Sequence, residues 1–150
     1  MKYLVSFFLT IILASAAFAA EKAPEANVPL NPYEQVMVGK VWATTDAVDQ
    51  KGVSVPAADE RVAAFFGKAE YFPNHTFKMT TLDGKPKMHG LWSISADGKT
   101  RQLLVQDDSG KARFTREVEN VKVDDGEYTY RIYPNKDNKA EHINIVHKPQ

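Results

Sequence analysis

The chain contains no cysteine, and that absence removes several functions at once. Disulfides, a thiolate nucleophile, a Cys-based zinc site and a lipid-modified N-terminal cysteine are all excluded. Charge of one sign is not in excess either: 19 Lys and Arg stand against 19 Asp and Glu. The concentrated basic field that nucleic acid or an anionic membrane rewards is therefore missing, and no nucleic-acid partner is expected. There is no Gly-x-Ser-x-Gly elbow and no Gly-rich phosphate loop. The four histidines, His75, His89, His142 and His147, form neither His-x-His nor His-Glu-x-x-His. His142 and His147 are five apart on one strand and face opposite sides, so no metal site is expected. Asp107-Asp108 and Asp124-Asp125 fall in turn sequences, where Asp serves the geometry of the turn itself. No catalytic residue and no cofactor follows, and a role other than enzyme is favoured.

Long apolar runs are scarce too, and the one that occurs is at the start. Lys2 precedes the stretch 4–13, which is broken only by Ser6 and Thr10. Ala17-Phe18-Ala19 then puts small residues at −3 and −1 of a cleavage site. That is the pattern of a secretory signal peptide, and the run is short of the about 20 residues a membrane span needs. Residues 1–19 are read as a leader cut after Ala19, with Ala20 as the alternative. The expected location is the periplasm or the medium, with no transmembrane segment left after cleavage. Removal of Lys2 would leave one base fewer than acids.

What remains is one domain's worth of sequence. Residues 20–35 carry three of the prolines, at 24, 29 and 32, and read as an extended lead-in. From residue 36 onward the chain is built of short runs rich in β-branched and aromatic residues, separated by turn chemistry. Asp83-Gly84, Asp97-Gly98, Asp108-Ser109-Gly110 and Asp124-Asp125-Gly126 are hairpin signals, because Gly accepts the positive φ such turns demand. Strands are expected at 40–49, 68–72, 76–82, 87–94, 100–106, 112–123, 127–133 and 140–148. A short helix is expected at 56–66, between the first and second strands. It would start near Pro56, stop at Gly67 and carry Val62, Phe65 and Phe66 on one face. Alternation places Met88, Gly90, Trp92 and Ile94 on one face, Arg101 with Leu103 and Val105, and Tyr128 with Tyr130 and Ile132. The phase slips near Glu119-Asn120, the mark of a β-bulge.

Eight antiparallel strands joined by short turns bury their apolar face and lose their edges by closing into an up-and-down barrel. A membrane barrel is disfavoured, since the strands are mostly shorter than about 9–11 residues and carry Lys, Arg and Glu where lipid would lie. Inward-facing residues of such a barrel either fill it or line a site for one small ligand. The candidates are Trp42, Phe72, Phe77, Met79, Trp92, Phe114, Tyr128 and Tyr130, with Phe65 and Phe66 as a lid.

Four stretches give the chain a likeness. They are Gly39-Lys40-Val41-Trp42, the helix expected directly after that strand, Tyr71-Phe72-Pro73-Asn74-His75-Thr76-Phe77, and Gly90-Leu91-Trp92-Ser93-Ile94. Over residues 36–148 the chain resembles lipocalin-like proteins, in particular a bacterial exported family of lipocalin-like domains of unknown function. The resemblance implies a calycin-type barrel whose commonest task is to hold a small apolar molecule. The expected function is binding of a small hydrophobic or amphipathic ligand inside the barrel. The alternative is a filled barrel that acts through its loops as a protein-interaction or inhibitor module.

Overall fold

A computed structural model describes residues 28–150. The expected leader and the first part of the lead-in lie outside the described residues. Eight strands run in chain order: β1 (Val41–Asp49), β2 (Lys68–Tyr71), β3 (Thr76–Thr80), β4 (Pro86–Ile94), β5 (Thr100–Gln106), β6 (Ala112–Asp124), β7 (Glu127–Ile132) and β8 (Ile143–Pro149). Each pairs antiparallel with its neighbours in sequence, and β8 returns to pair with β1, so the sheet is a closed up-and-down barrel. The all-β barrel read from the sequence is the observed fold. The bulge expected near Glu119-Asn120 appears as a register shift between Asn120 and Lys122.

The register defines the inner wall. Trp42 opposes Ala69, Tyr71 opposes Phe77, Trp92 opposes Leu103, and Tyr128 opposes His147. Trp42, Trp92, Tyr71, Tyr128, Phe77 and Leu103 are among the most deeply buried large side chains. Their rings meet edge-on or tilted, as quadrupoles prefer: Tyr71 and Trp92 at 4.9 Å between centroids, Trp42 and Tyr128 at 6.1 Å.

Two segments differ from expectation. The stretch 56–66 is not an α-helix but a series of turns ending in one 3₁₀ turn, Ala63–Phe65. Asp59 dominates it: its carbonyl accepts from the Val62 and Ala63 amides, and its carboxylate holds the Arg61 amide and guanidinium. With Val55 and Val62 pulled into the core from either side of Asp59, the run is too short and too pinned to nucleate regular helix. The α-helix of the structure instead lies before β1. It is α1 (Pro32–Met37), whose first four residues lie in the stretch expected to be extended. Asn31 caps it, Pro32 stands at its first turn, and Glu34 reaches back to the Asn31 amide to complete a capping box.

α1 forms the floor of the barrel. The Glu34 carboxylate is 4% exposed and grips both the floor and the wall. One oxygen accepts from the Ile94 amide at 3.0 Å. The other accepts from the Asn31 amide at 2.9 Å and lies 3.5 Å from His75 Nε2. Asn31 Nδ2 donates in turn to the Ile94 carbonyl at 2.8 Å. His75 takes φ 62° in the β2–β3 turn, a strained conformation for a side chain. That bend delivers its ring to Glu34 and its carbonyl to the Trp92 amide.

Candidate functional site at the open end of the barrel

The end opposite α1 is covered only in part, by the segment between β1 and β2, whose Val55 and Val62 are buried in the core. It is bordered by the hairpins β3–β4 and β5–β6 and by the segment carrying Phe65 and Phe66. Between Ala112 and Val118, β6 pairs with β5 only, because β7 pairs with residues 119–124. The wall is therefore notched there, and inward-facing residues near the notch meet solvent.

This notch explains where the expected site residues lie. Trp42, Phe77, Trp92, Tyr128 and Tyr130 are buried inside the barrel. Met79 is half-buried at the rim beside Met88. Phe114 was expected in the interior and is not there: it occupies the inner-facing row of β6, paired with Val105, but the notch leaves it 45% exposed. Phe72 was also expected inside. The residue of that strand pointing in is Tyr71, which faces Phe77, while Phe72 lies beyond the end of β2 with the Lys78 ammonium 5.8 Å above its ring. Phe65 and Phe66 are half-buried against the core at the open end. Phe65 meets Tyr130 edge-on at 6.3 Å and lies under the Arg116 guanidinium at 5.3 Å.

Below the rim is a polar cluster that the list of aromatic candidates left out. Arg101 on β5 is 2% exposed. Its Nη1 donates to the Tyr71 hydroxyl at 2.7 Å, and its guanidinium lies 4.8 Å from the Tyr130 ring centroid and 5.6 Å from that of Tyr128. Its Nε has no hydrogen-bond partner. Among the described residues no carboxylate pairs with it. His147 stacks on Tyr130 at 5.2 Å and shares a 3.0 Å hydrogen bond with the Tyr128 carbonyl through Nδ1. Burial, with the Arg101 charge adding to it, pushes the His147 imidazole down to about 4, so it is neutral at neutral pH. Burial likewise raises Tyr130 to about 12. Desolvation penalises the charged form in each case. Arg101 was legible as sharing a face with Leu103 and Val105; its lack of a carboxylate depends on seven other strands.

Two spaces border this cluster. A void of about 30 Å³ is lined by Arg101, Tyr71, Tyr130, His147, Thr44 and Lys87. An open cleft of about 450 Å³ lies at the rim, with Met79, Met88, Val105 and Phe114 as its apolar wall and Lys78, Arg113, Asp107 and Asp108 among its polar groups. Met79, Thr80 and Lys87 border both. Lys87 Nζ donates to the carbonyls of Ala64 at 2.6 Å and Phe66 at 3.0 Å, tying the 3₁₀ turn to β4. Burial, then the nearby Arg116 charge, lowers its pKa. Among the described residues no cluster of His, Asp and Glu is arranged to hold a metal ion, and no helix is long and apolar enough to cross a membrane.

The geometry defines a class: an eight-stranded up-and-down barrel with a hydrogen-bonded floor, a notched rim and a cationic, tyrosine-lined interior. Residues 34–150 match the model of a domain of unknown function, DUF4822, and the chain belongs to that family. The match begins at Glu34, the residue that clasps the floor to the wall. No curated protein matches the chain.

Proposed function

We propose that this protein is an exported binding protein for a small amphipathic molecule, held at the open end of the barrel. One observation carries the reading: Met79, Met88, Val105 and Phe114 form an apolar wall on the inward-facing rows, and the notch leaves it facing a cleft of about 450 Å³. Concave sites of roughly 300–1,000 Å³ with apolar walls and a few polar handles are the usual form of small-molecule sites. Phe65 and Phe66, on the turn tethered by Lys87, act as the lid in this reading. Lys2, the apolar run 4–13 and Ala17-Phe18-Ala19 support export.

A neutral apolar fluorophore, N-phenyl-1-naphthylamine, tests the cleft. Its emission should rise on titration with the protein. Phe114→Asp should weaken binding by about tenfold, the value of one lost aromatic contact. No enhancement, or enhancement indifferent to Phe114→Asp, refutes the reading. Export is tested separately by the mass of protein recovered outside the cytoplasm, which should lack residues 1–19.

The second reading is a barrel that acts as a protein-interaction or inhibitor module. The void beside Arg101 is only about 30 Å³, and Val53, Leu82 and Val121 are exposed on the surface. In that reading the fluorophore stays dark and a protein partner protects these positions from labelling.

A further inference from the structure

We propose that the ligand of the open end is an acid, and that Arg101 is its anchor: a carboxylate enters the void beside Arg101 while its apolar chain lies in the rim cleft. The proposal rests on the small-molecule reading above and names the chemistry of the head group.

Three observations support it. The first is the state of Arg101 itself. A guanidinium stays charged in a protein, and a buried charge is costly unless it is paired and hydrogen-bonded. Here Tyr71 and the faces of Tyr128 and Tyr130 meet part of that need. Nε remains without a partner, and no carboxylate among the described residues supplies the missing charge. A carboxylate oxygen is the group that both accepts from the unpaired Nε–H and supplies the missing charge.

The second is the surroundings. Lys87 lines both the rim cleft and the void beside Arg101, and the Arg116 charge lies close to it. Lys87 bonds only carbonyl oxygens, and Arg116 lies over Phe65 and Phe114 at 5.3 Å and 5.9 Å. Neither has a carboxylate partner among the described residues. The two cations that line the void, Arg101 and Lys87, thus both lack a carboxylate partner among the described residues. Tyr71, which accepts from Arg101, keeps its own proton to donate.

The third is size. A void of about 30 Å³ has room for about two waters at ~10–15 Å³ each, which is the room two carboxylate oxygens need. Met79, with its unbranched and adaptable side chain, borders both spaces, as do Thr80 and Lys87.

The test is an NMR titration of the wild-type protein with decanoate, decanol and acetate. It follows the Arg101 Nε–H signal and the methyl groups of Met79 and Met88. The expected result is that decanoate shifts all three, decanol shifts only the methyls, and decanoate binds about tenfold or more tighter than decanol, the value of a charge-assisted pair. Arg101→Met should abolish that preference. If decanoate and decanol shift the methyls alike and Nε–H does not move, Arg101 is not the anchor, although the cleft stands. If acetate and decanoate shift Nε–H while decanol shifts nothing, the acid site stands and the apolar cleft fails. If no probe shifts any signal, both fail.

Discussion

Replacing Glu34 by Gln should loosen the floor of the barrel, and the size of the effect follows from three contacts. The carboxylate accepts from the amides of Ile94 at 3.0 Å and Asn31 at 2.9 Å and sits 3.5 Å from His75 Nε2. It is 4% exposed, so water does not substitute for what is removed. Hydrogen bonds to a charged group contribute about 1.5–3 kcal/mol each. Gln keeps the shape but has one oxygen, so its NH₂ must face one of the two amide donors. The expected loss is about 2–3 kcal/mol for Glu34→Gln. For Glu34→Ala, which strands both amides and the imidazole, it is about 3–5 kcal/mol. In urea, with a slope of about 1–3 kcal/mol/M, the Gln variant's midpoint should fall by roughly 1–2 M. Amide exchange at Ile94 should accelerate by more than exchange at Leu103, in the barrel wall. A midpoint within about 0.3 M of wild type, or exchange at Ile94 unchanged, would show that the clasp contributes little and that α1 rests on the barrel passively.

Acid should destabilise the protein through His147. Its folded pKa, about 4, lies below the ordinary value of about 6.5. The unfolded chain therefore binds a proton first as pH falls, and stability declines from about pH 6.5 to pH 4. The total is about 3 kcal/mol at 1.36 kcal/mol per unit, and His147→Phe should flatten that limb of a plot of unfolding free energy against pH. Gly90→Ala should cost about 3 kcal/mol or more in thermal unfolding. Gly90 has φ +156°, and a Cβ there would lie 1.9 Å from the Leu104 carbonyl oxygen across the β4–β5 ladder. Phe114→Ser should leave the melting temperature within about a degree or two, as an exposed substitution does, in contrast with Phe77→Ser, which empties the core. A melting temperature lowered as far by Phe114→Ser would place Phe114 inside after all.

Strand positions and the closed ring were legible because they rest on local chemistry. Asp-Gly turns and two-residue alternation are set within a few residues, and 100–106 reads the same in sequence and in structure. The α-helix was legible in principle: Asn31-Pro32 followed by Glu34 is a start signal, obscured by the prolines before it. At 56–66 the pattern of Val62, Phe65 and Phe66 has helical spacing, yet those residues turn inward for a different reason, the packing of a loop over the barrel. Facing was legible and exposure was not. Phe114 stands on the row expected, but whether that row is covered depends on where β7 stops, which no residue of β6 encodes. The same is true of Arg101, whose significance lies in what fails to surround it.

Ring closure has a kinetic consequence. The five hairpins from β2 to β7 join over loops of a few residues, which costs about 1 kcal/mol of chain entropy each, and the longer β1–β2 and β7–β8 connections cost about 2–3 kcal/mol, whereas the β1–β8 seam joins Trp42 to Pro149, a loop of roughly a hundred residues costing about 4 kcal/mol. Five of the eight junctions can form early and cheaply, two more follow over longer connections, and the eighth must wait for them to draw the ends together. Refolding should therefore proceed on the slow time scale of non-local β topologies. Until the seam zips, β1 and β8 present raw edges that a second unfinished copy can occupy, so refolding yield should fall as protein concentration rises.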